Sequence, residues 1–276
     1  MKTFIVPTDF SDTSKNAAKF AVQVAAQIED AHILLYNVYD KVETGSDGSV
    51  IYNDHDSRRK IMELALESVR IDMHSVHPDV KITIIAEEES SVTEGMRRLA
   101  KEQKADMIIM GITGATKLAQ LFIGSNALNI VNKNFCPVMI VPPDAVFTGI
   151  KNVLLTSDFK DVENKTPVKA LLGVLNIFNP FVHVVNVNSD HYVELTDEYK
   201  AEKVKLDEIL VGYEHEYYFM RLYDFVDAIN QFTADNKIDM ILTIPKNHSF
   251  LGGIFKSSHT KKLAYHSHVP LIAIHE

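Results

Sequence analysis

The 276-residue sequence lacks several features that would each define a class of protein. It has one cysteine, Cys136, so no internal disulfide framework can form. No run approaches the roughly 18 apolar residues that cross a membrane, and the first strand-like run begins by residue 4, which leaves no room for a signal peptide. Acidic residues outnumber basic ones, and the formal net charge of −9 repels nucleic-acid phosphates and anionic membranes. We therefore expect a cytoplasmic protein that binds neither nucleic acid nor membrane.

The composition is otherwise that of a folded chain. Hydrophobic residues make up 46% of the sequence and charged residues 24%, which excludes a disordered chain. The length suits two cores of ordinary size better than one. Cys136 lies in the apolar run FCPVMIVP, where we expect a buried thiol without chemistry.

The two halves of the sequence resemble each other. FIVPTDFSD from residue 4 resembles VLLTSDFKD from residue 153, and HILLYNV from residue 32 resembles HVVNV from residue 183. KADMIIMG and KIDMILTI then stay in register at a constant offset of 133, so that Asp106 matches Asp239 and Pro137 matches Pro270. A duplicated unit of about 140 residues explains these matches and agrees with the usual size of a domain.

Short apolar runs alternate with segments of helical period in the first half. The strands are FIVP, HILLYNV, VKITIIAE, DMIIMG and PVMIV, and the helices lie at about 13–29, 58–77, 93–103 and 126–134. Strands that are apolar on both faces and separated by helices are typical of a parallel sheet covered by helices. The pattern predicts an α/β fold of two tandem doubly wound units, each a five-stranded parallel sheet flanked by helices.

The boundary between the units falls in PPDAVFTG, residues 142–149, which has two prolines and no helical period. We therefore predict domains at 1–145 and 150–276. A linker this short spans at most about 25–30 Å, so the two units must lie against each other.

A glycine-rich segment, GITGATKLAQLFIGSN, follows the fourth strand. Its spacing fits neither GxGxxG nor GxxxxGK[ST]. It places Gly111 at the carboxyl end of a strand, where ligands of open α/β sheets collect, and Gly124 and Ser125 at the start of a helix. Glycine lets the backbone approach phosphate oxygens, and helix N-terminal amides donate to them. The segment predicts a phosphate-binding loop.

The spacing G-2x-G-9x-G-[S/T] resembles the nucleotide-binding signature of the universal stress protein family, and the resemblance extends over both halves in the family's tandem form. It implies the adenine nucleotide α hydrolase-like fold and ATP as the ligand, with Mg²⁺ accompanying the phosphates. It further implies that Asp9 bonds the ribose or adenine side and that Thr8 and Val38 frame the adenine. The residues that it places around the phosphates are Met110, Gly111, Gly114, Gly124, Ser125 and Asn126.

The second half departs from this signature. Ile244, Asn247 and Ser257 stand where the first half has its three glycines, although Asp158 matches Asp9 and Ser258 matches Ser125. A β-branched residue and the adjacent Pro245 hinder a close approach of phosphate. We therefore predict one nucleotide per chain, bound by the first half.

Catalytic motifs are not readable. GxSxG is absent and no general base is evident, which favours a nucleotide-dependent regulatory factor over an enzyme. A weak ATPase or phosphoryl-transfer enzyme and a scaffold that binds no nucleotide are the alternatives. The C-terminal histidines, among them His266 and His268, are expected at the surface without a metal, and the aromatic stretch 213–225 is expected to pack in the second core or across the interface.

The family resemblance also bears on assembly. It implies that the half-domains pair through their last strands, here PVMIV and PLIAI, as an intramolecular pseudo-dimer. Pairing with a second chain as a homodimer and a protein partner of unknown identity are further expectations.

Overall fold

The computed structural model describes residues 1–39, 55–112, 125–133, 135–188, 196–221, 225–244 and 268–274. Its first half contains β1 (Lys2–Pro7), α1 (Asp12–Ala26), β2 (Ala31–Tyr39), α2 (His55–Val76), β3 (Lys81–Glu88), α3 (Val92–Glu102), β4 (Met107–Gly111), α4 (Ser125–Lys133) and β5 (Val138–Val141). The second half contains β6 (Asn152–Thr156), α5 (Val162–Lys165), α6 (Val168–Phe178), β7 (Phe181–Asn188), α7 (Asp197–Ile209), β8 (His215–Arg221), α8 (Phe225–Asp235), β9 (Met240–Thr243) and β10 (Leu271–Ala273).

Across these ranges, ten strands form one sheet in the order β3-β2-β1-β4-β5-β10-β9-β6-β7-β8. Neighbouring strands are parallel except at the centre, where Val138–Ile140 of β5 pair antiparallel with Leu271–Ala273 of β10. Helices flank this mostly parallel sheet, so the fold is α/β as the alternating pattern predicts. The second half carries an additional short helix, α5, that the sequence pattern did not indicate.

The helices form because their apolar residues recur along one face. In α1, Ala17, Phe20, Ala21 and Val24 are buried, and the Ser11 side chain caps the helix by accepting from Ser14 N. The predicted helix 13–29 ends three residues too late, because Gln27 already closes the last turn. Helix ends are the least defined part of such patterns.

One hydrophobic core runs under a single face of the sheet through both halves. It includes Ala17 of α1, Leu66 of α2, Leu171 of α6 and Leu206 of α7. Two smaller cores lie on the opposite face, one beneath α3 and α4 and the other beneath α8. The shared core joins the halves by packing as well as by strand pairing.

The connection between β5 and β6 packs against α1. Gln27 exchanges two hydrogen bonds with Ile150, at 2.9 and 3.0 Å, and the rings of Phe20 and Phe147 meet edge to face with centroids 5.3 Å apart. The segment predicted as the boundary therefore has fixed contacts with the first half.

His183 is buried in the centre of β7. Its ring lies among Phe181, Tyr218 and Phe232, and among the described residues neither ring nitrogen finds a hydrogen-bond partner. Desolvation lowers the pKa of His183, and the neighbouring Glu216 only partly opposes this. The buried ring therefore takes up a proton less readily than an exposed histidine does.

This histidine makes stability depend on pH. Because its pKa is lowered on folding, the unfolded chain binds more protons below about pH 6.5, and stability falls as the pH is lowered through that region. We expect His183→Phe to reduce the loss of stability between about pH 7 and pH 5, measured by urea denaturation at each pH. The partly buried His32, whose pKa is also lowered but whose ring nitrogen has the Thr83 hydroxyl as a partner, is the control: His32→Phe should leave most of the slope in place. Equal slopes in wild type and His183→Phe would contradict this expectation.

Candidate functional site

The candidate site lies where the strand order of the first half reverses. The chain passes from β1 to β2 and β3 on one side and to β4 and β5 on the other, so the switch point lies between β1 and β4. Thr8 and Asp9 follow β1 directly, Gly111 ends β4, and Val38 is near the end of β2. Because the strands are parallel, these residues share one edge of the sheet, where α/β proteins bind ligands.

Asp9 presents an exposed carboxylate at this edge. Its Oδ1 accepts hydrogen bonds from the backbone amide and the hydroxyl of Ser11, at 3.0 and 2.5 Å. Partial burial raises the pKa of Asp9, but hydrogen bonds from Ser11 and Ser14 outweigh it, so the pKa is below its usual value. The side chain is therefore a charged acceptor whose position is fixed by the turn into α1.

Thr8 is buried, and its hydroxyl forms hydrogen bonds at the turn that follows β1. Its hydroxyl lies 3.0 Å from the Ser14 hydroxyl and accepts from the Phe10 amide, also at 3.0 Å. The Asn37 side chain donates to the Thr8 carbonyl at 2.8 Å. These contacts hold the turn between β1 and α1, in which Phe10 has a left-handed φ of 65°.

Gly111 is in close contact with α1. A Cβ at this position would lie 2.6 Å from the backbone carbonyl oxygen of Thr13 and 3.5 Å from the Cβ of Ala17. The absent side chain thus lets α1 approach β4, a packing requirement that holds with or without a ligand. Met110 beside it is 8% exposed.

The remaining predicted residues belong to the segment after β4. Ser125 and Asn126 are the first two residues of α4, which connects the parallel strands β4 and β5. The N-terminus of such a connecting helix lies toward the carboxyl edge, as an anion-binding helix start requires. Gly114 and Gly124 lie outside the described residues.

The hydrogen bonds of the turn after β1 recur in the second half, in the turn after β6. Ser157 N bonds the Val185 carbonyl as Thr8 N bonds that of Tyr36, and Asn186 donates to the Ser157 carbonyl at 2.8 Å as Asn37 does to Thr8. Asp158 Oδ1 accepts from Lys160 N at 3.1 Å, and Phe159 has a φ of 51°. The role of the two asparagines was not predicted from the sequence, although the Asn-Val pair that HILLYNV and HVVNV share indicates it.

Two other side chains bear on predicted chemistry. Burial raises the pKa of the Cys136 thiol to about 12, which suits an inert side chain. His268 Nδ1 lies 2.6 Å from an Asp144 carboxylate oxygen, whereas His248, His259 and His266 are outside the described ranges.

Within the part of the chain that the structure describes, no cluster of three or more metal-ligating residues occurs. None of the described helices has the length and apolar character needed to cross a membrane.

The fold is that of an α/β protein, and the edge described above is its candidate ligand site at the switch point. The family model described as "Universal stress protein family" matches residues 1–142, and the chain belongs to that family. Universal stress protein MJ0531 of Methanocaldococcus jannaschii is 30% identical in an alignment of 151 residues that covers 51% of this chain and 81% of that protein. Universal stress protein MJ0577 of the same organism is 27% identical in an alignment of 156 residues that covers 51% of this chain and 94% of that protein. A universal stress protein structure from Archaeoglobus fulgidus DSM 4304 superposes with a TM-score of 0.71 at 16% identity, over 99% of this chain and 98% of that one.

Proposed function

We propose that the first half of this chain binds ATP and that occupancy changes the shape or partner surface of a regulatory protein of the stress response. The observation that carries the proposal is the convergence of the Asp9 turn, the end of β2, the end of β4 and the start of α4 on one edge of the sheet. The glycine spacing after β4 supports it from the sequence.

The described residues suit one side of this nucleotide. The fixed, charged carboxylate of Asp9 can accept hydrogen bonds from ribose hydroxyls or an exocyclic amine, and the half-buried Val38 offers apolar surface to a base. The phosphates would lie near Met110, Gly111, Gly114, Gly124, Ser125 and Asn126, where backbone amides can donate. Mg²⁺ would arrive with the phosphates, which are its preferred partners in nucleotide sites.

Replacing Asp9 with alanine tests the site. A hydrogen bond to a charged group contributes about 1.5–3 kcal/mol, so we expect Asp9→Ala to weaken ATP binding about 10- to 100-fold in isothermal titration calorimetry. Asp158→Ala is the matched control, because it removes the same turn hydrogen bond at the equivalent position of the second half. We expect it to leave ATP affinity unchanged and the stoichiometry at one per chain.

Three outcomes would contradict this proposal. Equal ATP affinity in wild type and Asp9→Ala would remove Asp9 from the site, and two equal ATP sites per chain would overturn the assignment to the first half. A purified protein that neither retains nor binds any nucleotide would favour the scaffold alternative.

We propose that ATP is bound without useful turnover. No described residue at the edge combines a carboxylate or imidazole with a partner arranged for general base catalysis; Asp9 is engaged by Ser11. Steady-state phosphate release separates the alternatives: a turnover of about 1 per second that is lost in Asp9→Ala would identify an ATPase.

We further propose that residues 1–145 and 150–276 are tandem domains that form an intramolecular pseudo-dimer. The antiparallel pairing of β5 with β10 and the recurring hydrogen bonds of the two turns support it. In this arrangement the second domain supplies the partner surface that a second copy would otherwise provide, and a protein partner or a homodimer would form on the remaining faces.

A further inference from the structure

The second half contains a cavity of about 250 Å³ at the carboxyl ends of its strands. Its lining is contributed by β6, β7, β9 and β10, by α5 and α8, and by residues that follow β6, α5 and β9. Most of the lining is apolar, including Val162, Val185, Val187, Phe225, Ile241 and Ile244. The cavity therefore lies at the edge of the second half that corresponds to the candidate nucleotide site of the first half.

Strand register shows which residue replaces the glycine at this edge. Met107 of β4 and Met240 of β9 pair with equivalent positions of β1 and β6. Continuing along β4 and β9 makes Ile244 the equivalent of Gly111. Because Ile244 lines the cavity, a branched apolar side chain occupies the place where the first half has bare backbone. A phosphate there would lose its hydration against hydrocarbon, which is unfavourable.

The helix that packs on this position also differs between the halves. In the first half α1 is continuous, and a Cβ at Gly111 would lie 3.5 Å from the Cβ of Ala17. Counted from the aspartate after the first strand of each half, the equivalent of Ala17 is Thr166, which lies in the break between α5 and α6. Pro167 follows it and has no N–H to continue the helical hydrogen bonds. Thr166 and Ile244 both line the cavity, so open space replaces the tight contact between helix and strand.

The charged groups at the cavity compensate one another. Lys165, in the lining, pairs with the neighbouring Asp161 at 3.3 Å. The lining also contains Asp158 and Lys160, one anion and one cation, and each has an interaction of its own. The two cations and two anions therefore leave no net charge for a ligand to neutralise. A charged ligand would lose hydration against the apolar walls without compensation, so the cavity favours an uncharged one.

Two hydroxyl groups supply hydrogen bonding inside this lining. Thr156 of β6 donates to the hydroxyl of Thr243 of β9 at 3.3 Å. This hydrogen bond uses one of the two hydroxyl protons, so the pair can donate the other to an acceptor in the cavity. An oxygen atom on an otherwise apolar molecule would match this arrangement.

The volume limits the ligand to a small molecule. A cavity of about 150 Å³ is enough to hold benzene, and drug-sized ligands occupy about 300 Å³ or more. The volume of about 250 Å³ lies between the two. It can take one aromatic ring with substituents or a short hydrocarbon chain, but not a nucleoside triphosphate.

We propose that the cavity of the second half binds an uncharged small molecule with an apolar body and one oxygen acceptor, such as an alcohol, ketone or ester of about six to eight carbon atoms. Its hydrocarbon lies against Val187 and Ile244, and its oxygen accepts a hydrogen bond from the pair of Thr156 and Thr243. This ligand is independent of the nucleotide proposed for the first half.

Three probes with the same hydrocarbon and different head groups test the proposal on the full chain: 1-hexanol, hexanoate and hexylamine. At about pH 7 the second is an anion and the third a cation. In NMR titrations we expect 1-hexanol to bind at one per chain with a dissociation constant of about 1 mM or less, and each charged probe to bind at least about tenfold more weakly. A charged probe that binds as tightly as 1-hexanol, or no saturable binding of 1-hexanol up to about 10 mM, overturns the assignment.

ATP separates this site from the one proposed for the first half. Saturating ATP should leave the affinity for 1-hexanol unchanged, and 1-hexanol should bind equally well if the chain binds no ATP. Failure of the nucleotide proposal therefore leaves this one standing. Displacement of 1-hexanol by ATP would place both molecules in one site and overturn the proposal.

Val187→Phe locates the binding. It places a larger side chain in the cavity from a half-buried strand position, so we expect the affinity for 1-hexanol to fall at least about tenfold. Val204→Phe makes the same change at an exposed residue of α7 outside the lining and should leave the affinity unchanged. Circular dichroism and urea denaturation show whether both variants fold. Unchanged affinity in folded Val187→Phe would place the ligand elsewhere and overturn the proposal.

Thr243→Val tests the hydroxyl pair and remains informative if Val187→Phe does not fold, because it changes the size of the side chain little. We expect it to weaken 1-hexanol binding about three- to tenfold, the effect of losing one hydrogen bond. Benzene, which has no oxygen, should bind as it does to the wild type. An equal loss of affinity for both probes, or no loss for either, would contradict the role of the hydroxyl pair and overturn the proposal.

Discussion

Gly111→Ala is expected to lower the free energy of unfolding by about 1–3 kcal/mol, the cost of overpacking a well-packed interior. The new Cβ would lie 2.6 Å from the Thr13 carbonyl oxygen, closer than nonbonded atoms approach. The Cβ is attached directly to the backbone of β4, and the Thr13 carbonyl oxygen belongs to the backbone of α1. No side-chain rotation can therefore relieve the contact. Relief requires α1 to move away from the sheet, which also disturbs the Ala17 contact.

Gly173→Ala is the matched control for this substitution. A Cβ at Gly173 meets no atom within 4 Å, and the residue is exposed inside α6. Alanine is favoured over glycine inside helices by up to about 1 kcal/mol, so this variant should be slightly stabilised. Urea denaturation of both variants measures the difference, and a Gly111→Ala protein as stable as wild type would contradict the packing role.

This packing role changes how the glycine motif is tested. A larger residue at Gly111 would weaken ATP binding even if no phosphate ever contacted that glycine, because α1 carries the Asp9 turn with it. Substitution of Asp9 at the exposed edge separates binding from folding, whereas substitution of Gly111 does not.

Phe159→Ala is expected to produce the largest loss of stability considered for this chain, about 3–5 kcal/mol. Phe159 is 2% exposed and its ring lies 5.5–6.1 Å, between centroids, from the rings of Tyr199, Tyr217 and Phe219. Removing the ring takes away its buried area and leaves a cavity among three aromatic partners. At about 2–4 °C per kcal/mol, the midpoint of thermal unfolding should fall by roughly 6–20 °C.

Phe10→Ala is the control at the equivalent turn of the first half. Phe10 also has a left-handed φ, so both substitutions exchange one L residue for another in the same backbone conformation. Phe10 is only partly buried, and its replacement should cost clearly less. If calorimetry or circular dichroism gave equal midpoints for the two variants, burial of the Phe159 ring would not be the cause of the loss.

Much of the fold could be predicted from local patterns. Apolar runs such as HILLYNV and the helical period of residues 17–28 depend on neighbouring residues, and the structure has a strand and a helix there. The family resemblance identified the chain's class, which the family match to residues 1–142 confirms. The nine predicted ligand residues remain a prediction, since they follow from spacing and resemblance.

Other features could not be predicted because they depend on residues distant in sequence. The contact that requires Gly111 is made by Thr13, and the buried ring of His183 is surrounded by residues of β8 and α8. Because the second half lacks the three glycines of the loop, we expected it to bind no nucleotide. The cavity at the carboxyl edge of the second half, by contrast, is lined by residues of β6, β7, β9 and β10 and of α5 and α8, which are distant from one another in sequence.

The single antiparallel step at the middle of the sheet has a directional consequence. Every strand of one half points opposite to every strand of the other, so the Asp9 turn and the Asp158 turn open toward opposite rims of the molecule. A molecule held at one rim could not touch a molecule held at the other. In the part of the chain that the structure describes, the halves meet at the three rungs between Val138–Ile140 and Leu271–Ala273, in the hydrocarbon layer beneath them and where the connection packs on α1, so any influence of one turn on the other passes through these contacts.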